Sequence, residues 1–100
     1  MKKILLICSA GMSTSMLVTK MKVAAETIDT ETEIWAVGYA DQASNIQKAD
    51  IILLGPQVRY LKDSIEDALD EPKPVHVIDM AAYGAMDGKK VLDFALEKLQ

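Results

Sequence analysis

The stretch ILLICSAGMSTSM, residues 4–16, joins an apolar run to a run of small and hydroxyl-bearing residues, and contains the chain's only cysteine, Cys8. A secretory signal would need roughly 7 to 15 apolar residues before its cleavage site, whereas this run ends after Ile7. The run has the length of a β-strand, and the residues after Cys8 then form a loop that leads into a helix. We therefore expect a cytoplasmic protein whose first strand ends at the cysteine.

Three further apolar runs of strand length follow, at residues 34–37, 51–54 and 75–78. All four are continuous rather than alternating, which is typical of strands covered on both faces. Apolar residues recur at helical spacing over residues 17–28, 61–69 and 92–99, with Ile28 on the first of these faces. A shorter segment, residues 41–48, is predicted to be a helix capped by Asp41, and residues 70–74, DEPKP, are predicted to form a turn.

The resulting order, β-α-β-α-β-α-β-α, predicts one α/β domain over residues 1–100, with three layers: a parallel sheet and helices on both of its faces. Ligands of such sheets bind beyond the carboxyl ends of the strands. Cys8 is predicted to lie at such an end.

Composition excludes several classes of function. Fifteen acidic and eleven basic residues give a net charge of −4, the wrong sign for an electrostatic hold on nucleic acid. A single cysteine forms no internal disulfide, and without a C-x-x-C motif neither a structural zinc site nor dithiol chemistry has its ligands. No stretch approaches the roughly 18 apolar residues of a membrane span. We predict no metal and no cofactor, and expect protein or small-molecule partners.

The loop after Cys8 is predicted to bind an anion. Backbone N–H groups at the start of a helix, together with the helix dipole, attract phosphate, and the same field favours the thiolate form of Cys8. The opposite interpretation, ordinary helix caps beside a cysteine that merely packs, remains open on the pattern alone. The predicted phosphate-binding residues are Ser9, Ala10, Gly11, Met12, Ser13, Thr14 and Ser15.

Other phosphate-binding loops fit the sequence less well. The lysine of a Walker A loop and the G-x-G-x-x-G dinucleotide pattern are missing. Low-molecular-weight tyrosine phosphatases carry cysteine, five residues, then arginine and serine, whereas Thr14 and Ser15 stand at those two positions here. The only arginine, Arg59, follows the third strand. The bidentate clamp on the phosphoryl oxygens is therefore absent, and we interpret Thr14 as the residue in its place.

Over essentially its whole length the chain resembles the IIB component of the sugar phosphotransferase system, of the lactose/cellobiose/chitobiose type. The resemblance rests on CSAGMSTS at residues 8–15, LLGPQ at 53–57 with Tyr60 after it, VIDMAAYG at 77–84, and DG at 87–88. It implies that Cys8 takes a phosphoryl group from a phosphohistidine of a IIA protein. The group then passes to a sugar, a disaccharide or β-glucoside, that enters through a membrane IIC protein. It also implies a sheet of order 2-1-3-4, as in low-molecular-weight tyrosine phosphatases.

Residues outside the loop complete the expected site. Gln57 and Tyr83 are predicted to face a partner at its rim, around an exposed Cys8 thiol. Arg59 can line the rim or contact a partner, but its favoured interpretation is a solvated residue at a helix start. His76 is interpreted as a structural residue of its strand. Two alternatives use the same loop: a cysteine-dependent phosphatase, and a thiol- or anion-sensing regulatory module.

Overall fold

Strand β1, Lys2–Cys8, is the centre of the fold, because its backbone pairs with a strand on either side. The computed structural model describes residues 1–9 and 12–99, apart from the side chains of residues 12 and 13. The other strands are β2, Thr32–Gly38, β3, Ile51–Leu54, and β4, Val75–Val77. All pairings are parallel and the order is β2-β1-β3-β4, which confirms the order 2-1-3-4.

Within the described part of the chain, five α-helices connect or follow these strands: α1, Met12–Thr27; α2, Gln42–Asn45; α3, Lys62–Ala68; α4, Met80–Gly84; and α5, Gly88–Lys98. Short 3-10 helices, Tyr39–Asp41 and Pro56–Leu61, precede α2 and α3. The predicted turn lies between the end of α3 and the start of β4. No helix among the described residues is long and apolar enough to cross a membrane.

Successive side chains of β1 enter two separate cores. Ile4 and Leu6 pack with α1 and α5 on one face of the sheet, whereas Leu5 and Ile7 pack with residues of α3 on the other face. Neighbouring side chains of a strand point to opposite faces, so a sheet with two cores needs apolar residues at every position. This explains why the apolar runs are continuous.

The backbones of α1 and α5 approach very closely at Gly88. A Cβ atom at this position would lie 2.5 Å from the carbonyl carbon of Lys20 and 2.6 Å from the backbone nitrogen of Met21. Only glycine leaves room for this contact. The start of α5 thus supports the middle of the helix that follows Cys8.

Two local predictions were wrong, and one helix was missed. Asp41 does not cap α2 through its side chain, because its backbone belongs to the preceding 3-10 helix, at φ −102° and ψ 9°, instead of being extended. Ile28 is 42% exposed, because α1 ends at Thr27. Helix α4 was not predicted; Asp79 begins it by accepting a hydrogen bond from the backbone N–H of Ala82 at 3.0 Å.

Candidate functional site

Cys8 is the last residue of the central strand, at the edge of the sheet where all four strands end. It pairs in register with Gly38, the last residue of β2. On the other side, the N–H of Gly55, just after β3, donates to the carbonyl of Ile7 at 2.9 Å. Cys8 is only 3% exposed, so the expectation of an exposed thiol is wrong.

Helix α1 begins at Met12, so residues 9–11 alone separate Cys8 from its N-terminus. The first N–H groups of a helix lack partners within the helix, and those of α1 come directly after the loop that follows β1. Ser9 and Ser15 are exposed. The predictions for Ala10 and Gly11, and for the side chains of Met12 and Ser13, lie outside the described residues.

The side chain of Thr14 is turned into the protein. Thr14 is fully buried, and its Oγ1 lies 3.2 Å from the Oη of Tyr83. Among the polar and charged side chains that the structure describes, tyrosine and cysteine apart, Thr14 is the only buried one. Thr14 thus keeps the sequence position of the phosphatase arginine, but its hydroxyl is engaged with Tyr83 inside the protein.

Tyr83 also differs from its expected placement. It is 7% exposed rather than turned outward to a partner, because α4 packs its ring against the sheet edge. Gly55 lies close to both Tyr83 and Gln57. A Cβ atom at Gly55 would lie 3.6 Å from Cε1 of Tyr83 and 3.1 Å from Oε1 of Gln57. The structure thus brings Gln57 and Tyr83 together.

An open groove of about 670 Å³ runs along this edge. Tyr60, 75% exposed, and Met80, 64% exposed, lie on its walls, and sequence reasoning assigned neither a role. Their positions in the sequence, shortly after the ends of β3 and β4, are the feature that could have indicated a place at this site. Arg59, predicted to be merely solvated, also lines the groove. Its lining residues are Pro56, Gln57, Arg59, Tyr60, Met80, Tyr83 and Gly84.

His76 lies away from these residues, inside β4. Its ring meets that of Phe94 edge to face, with 5.4 Å between the centroids. Partial burial, with the positive charges of Lys98 and Lys62, lowers the pKa of His76 below 6.5. These contacts agree with its interpretation as a structural residue.

Comparison with known proteins is consistent with this geometry. Residues 3–94 match the family model described as "PTS system, Lactose/Cellobiose specific IIB subunit". The chain is 54% identical over 97 residues to the oligo-beta-mannoside-specific EIIB component of Bacillus subtilis (strain 168), covering 96% of this chain and 94% of that protein. It is 42% identical over 97 residues to the cellobiose-specific EIIB component of Lactococcus lactis subsp. lactis, covering 91% of this chain and 90% of that one.

Solved structures show the same architecture. The lactose-specific IIB domain from Streptococcus pneumoniae superposes with a TM-score of 0.82 over 99% of this chain and 98% of that one, at 20% identity, a likeness of fold alone. The cellobiose-specific IIB protein from Borrelia burgdorferi superposes with a TM-score of 0.79, at 34% identity, over 98% of this chain and 91% of that one.

The fold and site define a parallel α/β protein with a cysteine at the end of its central strand. The chain belongs to the lactose/cellobiose-specific IIB family of the sugar phosphotransferase system. It is a phosphotransferase component, a carrier that delivers phosphoryl groups to a sugar. Its family implies IIA and IIC partners.

Proposed function

We propose that this carrier holds its phosphoryl group on Cys8, as phosphocysteine, between a IIA protein and a sugar presented by a membrane IIC protein. The observation that carries the proposal is the position of Cys8, at the end of β1 and just before the N-terminus of the 16-residue helix α1. A doubly wound sheet binds ligands at this place. A cysteine there combines a nucleophile with a site that favours anions.

The first transfer charges the carrier. The thiolate of Cys8 attacks the phosphorus atom of a phosphohistidine on IIA, an Sγ–P bond forms, and the N–P bond breaks. The imidazole nitrogen keeps the electron pair of the broken bond. No oxidation or reduction takes place.

The second transfer moves the phosphoryl group from the carrier to the sugar. A hydroxyl oxygen of the sugar attacks phosphorus, the Sγ–P bond breaks, and Cys8 leaves as a thiolate with the bonding electron pair. The proton of the sugar hydroxyl passes to a base or to water. We propose a disaccharide or β-glucoside as the sugar, which is supported by the relatives named for oligo-β-mannoside and cellobiose.

The phosphoryl oxygens would be held by neutral donors. Residues 8–15 carry no charged side chain, so the donors are the backbone N–H groups of the loop and of the first turn of α1, with the hydroxyls of Ser9, Ser13 and Ser15. Positioning and charge stabilisation dominate phosphoryl transfer. A binding loop without a cation holds the phosphoryl group but adds little to the reactivity of phosphorus towards water. This suits a carrier in the cytoplasm.

Labelling tests the proposal directly. The parent protein is incubated with phosphoenolpyruvate, the general phosphotransfer proteins and a cognate IIA, and the labelled peptide is identified by mass spectrometry. We expect label on Cys8 and none in Cys8→Ser, because serine is a far poorer nucleophile near neutral pH. Circular dichroism checks that the variant is folded.

The other outcomes separate the alternatives. Label retained in Cys8→Ser would overturn the assignment of the cysteine. Turnover of p-nitrophenyl phosphate without accumulation of phosphoprotein would indicate a phosphatase. Neither labelling nor turnover would favour a thiol- or anion-sensing module. Addition of membranes that contain IIC should convert labelled carrier and sugar into sugar phosphate.

A further inference from the structure

The contact between Thr14 and Tyr83 connects two parts of the chain 69 residues apart. Thr14 lies in the first turn of α1, the helix that follows Cys8, and Tyr83 lies in α4. Both residues are buried, so water does not readily replace either hydroxyl as the partner of the other. This hydrogen bond fixes the start of α1 from the side.

Tyr83 is itself rigidly held. Its backbone N–H donates to the carbonyl of Asp79 at 2.9 Å, and Asp79 also caps α4 through its side chain. Its ring lies beside Gly55, whose N–H is bonded to the carbonyl of Ile7, the residue before Cys8. The ring of Tyr83 thus lies beside the residue that follows β3, and its hydroxyl meets the start of α1.

We infer that Tyr83 is a positioning residue for phosphoryl transfer, acting through Thr14. Its hydroxyl holds the first turn of α1, and with it the backbone N–H groups that face the phosphoryl group, in one place relative to Cys8. This inference rests on the proposed function, because it takes Cys8 as the phosphoryl acceptor. Tyr83 itself neither gains nor loses the phosphoryl group; the bonds that form and break are those at Cys8 described above.

The hydroxyl, rather than the ring, should carry this role. Tyr83→Phe keeps the ring that packs beside Gly55 but leaves Thr14 without its partner. The start of α1 then samples more positions, and small losses of alignment are costly in group transfer. We expect the first-order rate constant for transfer from bound phospho-IIA to Cys8 to fall about tenfold, with little change in KM for IIA.

The experiment compares variants at both ends of the bond. Tyr83→Phe and Thr14→Val each remove one hydroxyl, and the double variant should lose no more than the more impaired single one, because all three lack the same bond. Thr14→Ser keeps the hydroxyl and should retain the parent rate. Tyr39→Phe, at an exposed tyrosine, and Thr27→Val, at the far end of α1, are the matched controls.

A spectroscopic readout distinguishes positioning from mere stabilisation. Amide NMR shifts of the first turn of α1 should change on phosphorylation in the parent and change less in Tyr83→Phe, under conditions where thermal unfolding shows both proteins fully folded. A role in stability alone would lower the melting temperature and leave the rate constant and the amide shifts of the folded protein unaltered.

The outcomes distinguish failure of the positioning role from failure of the proposed function. If the parent labels on Cys8 but Tyr83→Phe equals it in rate constant and amide shifts, the positioning role is overturned and the carrier function stands. Additive losses in the double variant would likewise overturn it, since the two hydroxyls would then act separately. If the parent accepts no phosphoryl group on Cys8, the proposed function itself fails.

Discussion

Thr14 occupies the sequence position at which low-molecular-weight phosphatases carry arginine, but its side chain lies in the interior. Complete burial and the 3.2 Å contact with the Tyr83 hydroxyl leave little space for a longer side chain. Threonine suits this place because it is small and its hydroxyl meets a partner there, as buried polar groups require. The choice of residue thus reflects packing between α1 and α4 as well as chemistry at the loop.

Replacing Thr14 by arginine tests this explanation. We expect Thr14→Arg to lower the free energy of unfolding by about 3 kcal/mol or more, because the site must admit a larger side chain and a charge without a counterion. Thr19→Arg, at an exposed position of the same helix, should change it by only about 0.5 kcal/mol. Urea denaturation measures both. Equal stability of the two variants would show that the Thr14 site is open to solvent.

At the scale of elements, the position of α1 depends on contacts with α4 and α5 as well as on the sheet. Tyr83 meets its first turn, and Gly88 meets its middle at backbone distance. Helices usually pack about 8 to 10 Å apart because side chains separate them. A glycine at the contact allows a closer approach.

We expect Gly88→Ala to destabilise the protein by about 1 to 3 kcal/mol, because the new methyl group would overlap backbone atoms of Lys20 and Met21. This loss should exceed the gain in helix propensity, about 1 kcal/mol at most. Gly84→Ala is the control, since nothing lies within 4 Å of a Cβ there. Thermal unfolding should show a lower midpoint for Gly88→Ala alone. A neutral Gly88→Ala would mean that α5 can move away at no cost.

Packing between β4, α3 and α5 should make stability depend on pH through His76. Burial, Lys98 and Lys62 lower its pKa below 6.5, while Glu66 opposes them. Well above pH 6.5 the imidazole is neutral in both states. As the pH falls below this value, the unfolded chain takes up a proton first, so the folded protein loses stability until the pH passes its own, lower pKa.

The test is the change in the free energy of unfolding between about pH 7.5 and about pH 5, a range that spans the ordinary histidine pKa. The parent should lose more stability over this range than His76→Asn. The chain has one histidine, so no other imidazole contributes to the difference. Identical losses in the two proteins would contradict the assignment.

At the scale of the whole molecule, parallel connections place the carboxyl ends of all four strands at one edge. Cys8, the start of α1 and the groove with Tyr60 and Met80 therefore share one side of the protein. Exposed large apolar side chains beside a reactive group are typical of a surface that meets another protein. A relay also needs its complexes to separate, which favours an interface below about 1,200 Å² in total.

Addition of IIA should accordingly shift amide NMR signals at this edge, around residues 9–15 and Gln57, with the signal of buried Tyr83 responding through its neighbours. Lys2, Glu31 and Glu71 belong to the amino-terminal side of the sheet and its loops and serve as internal controls. Their signals should not move. Perturbations concentrated on these three residues would place the interface on the opposite edge.

Sequence alone determined the strands, the main helices and the location of the cysteine. Hydrophobic periodicity is a local property, so the runs at residues 4–7 and 51–54 predicted buried strands, and the spacing over residues 17–28 predicted α1. Cys8 was predicted at a strand end on the same basis. The order of the strands came from family resemblance, because periodicity does not specify which strands are neighbours.

Only the tertiary structure decided how the site is enclosed. Residues that are distant in the chain meet in the hydrogen bond between Thr14 and Tyr83 and in the helix contact at Gly88. The burial of Cys8 likewise depends on the folded chain. The position of Tyr83 after the fourth strand, at the same end of the sheet as Cys8, predicts a side chain that faces a partner, but the local sequence does not specify what covers it. A hydrogen bond or a close approach depends on where two separate elements meet in space, and that position is set by the packing of the whole chain around the sheet.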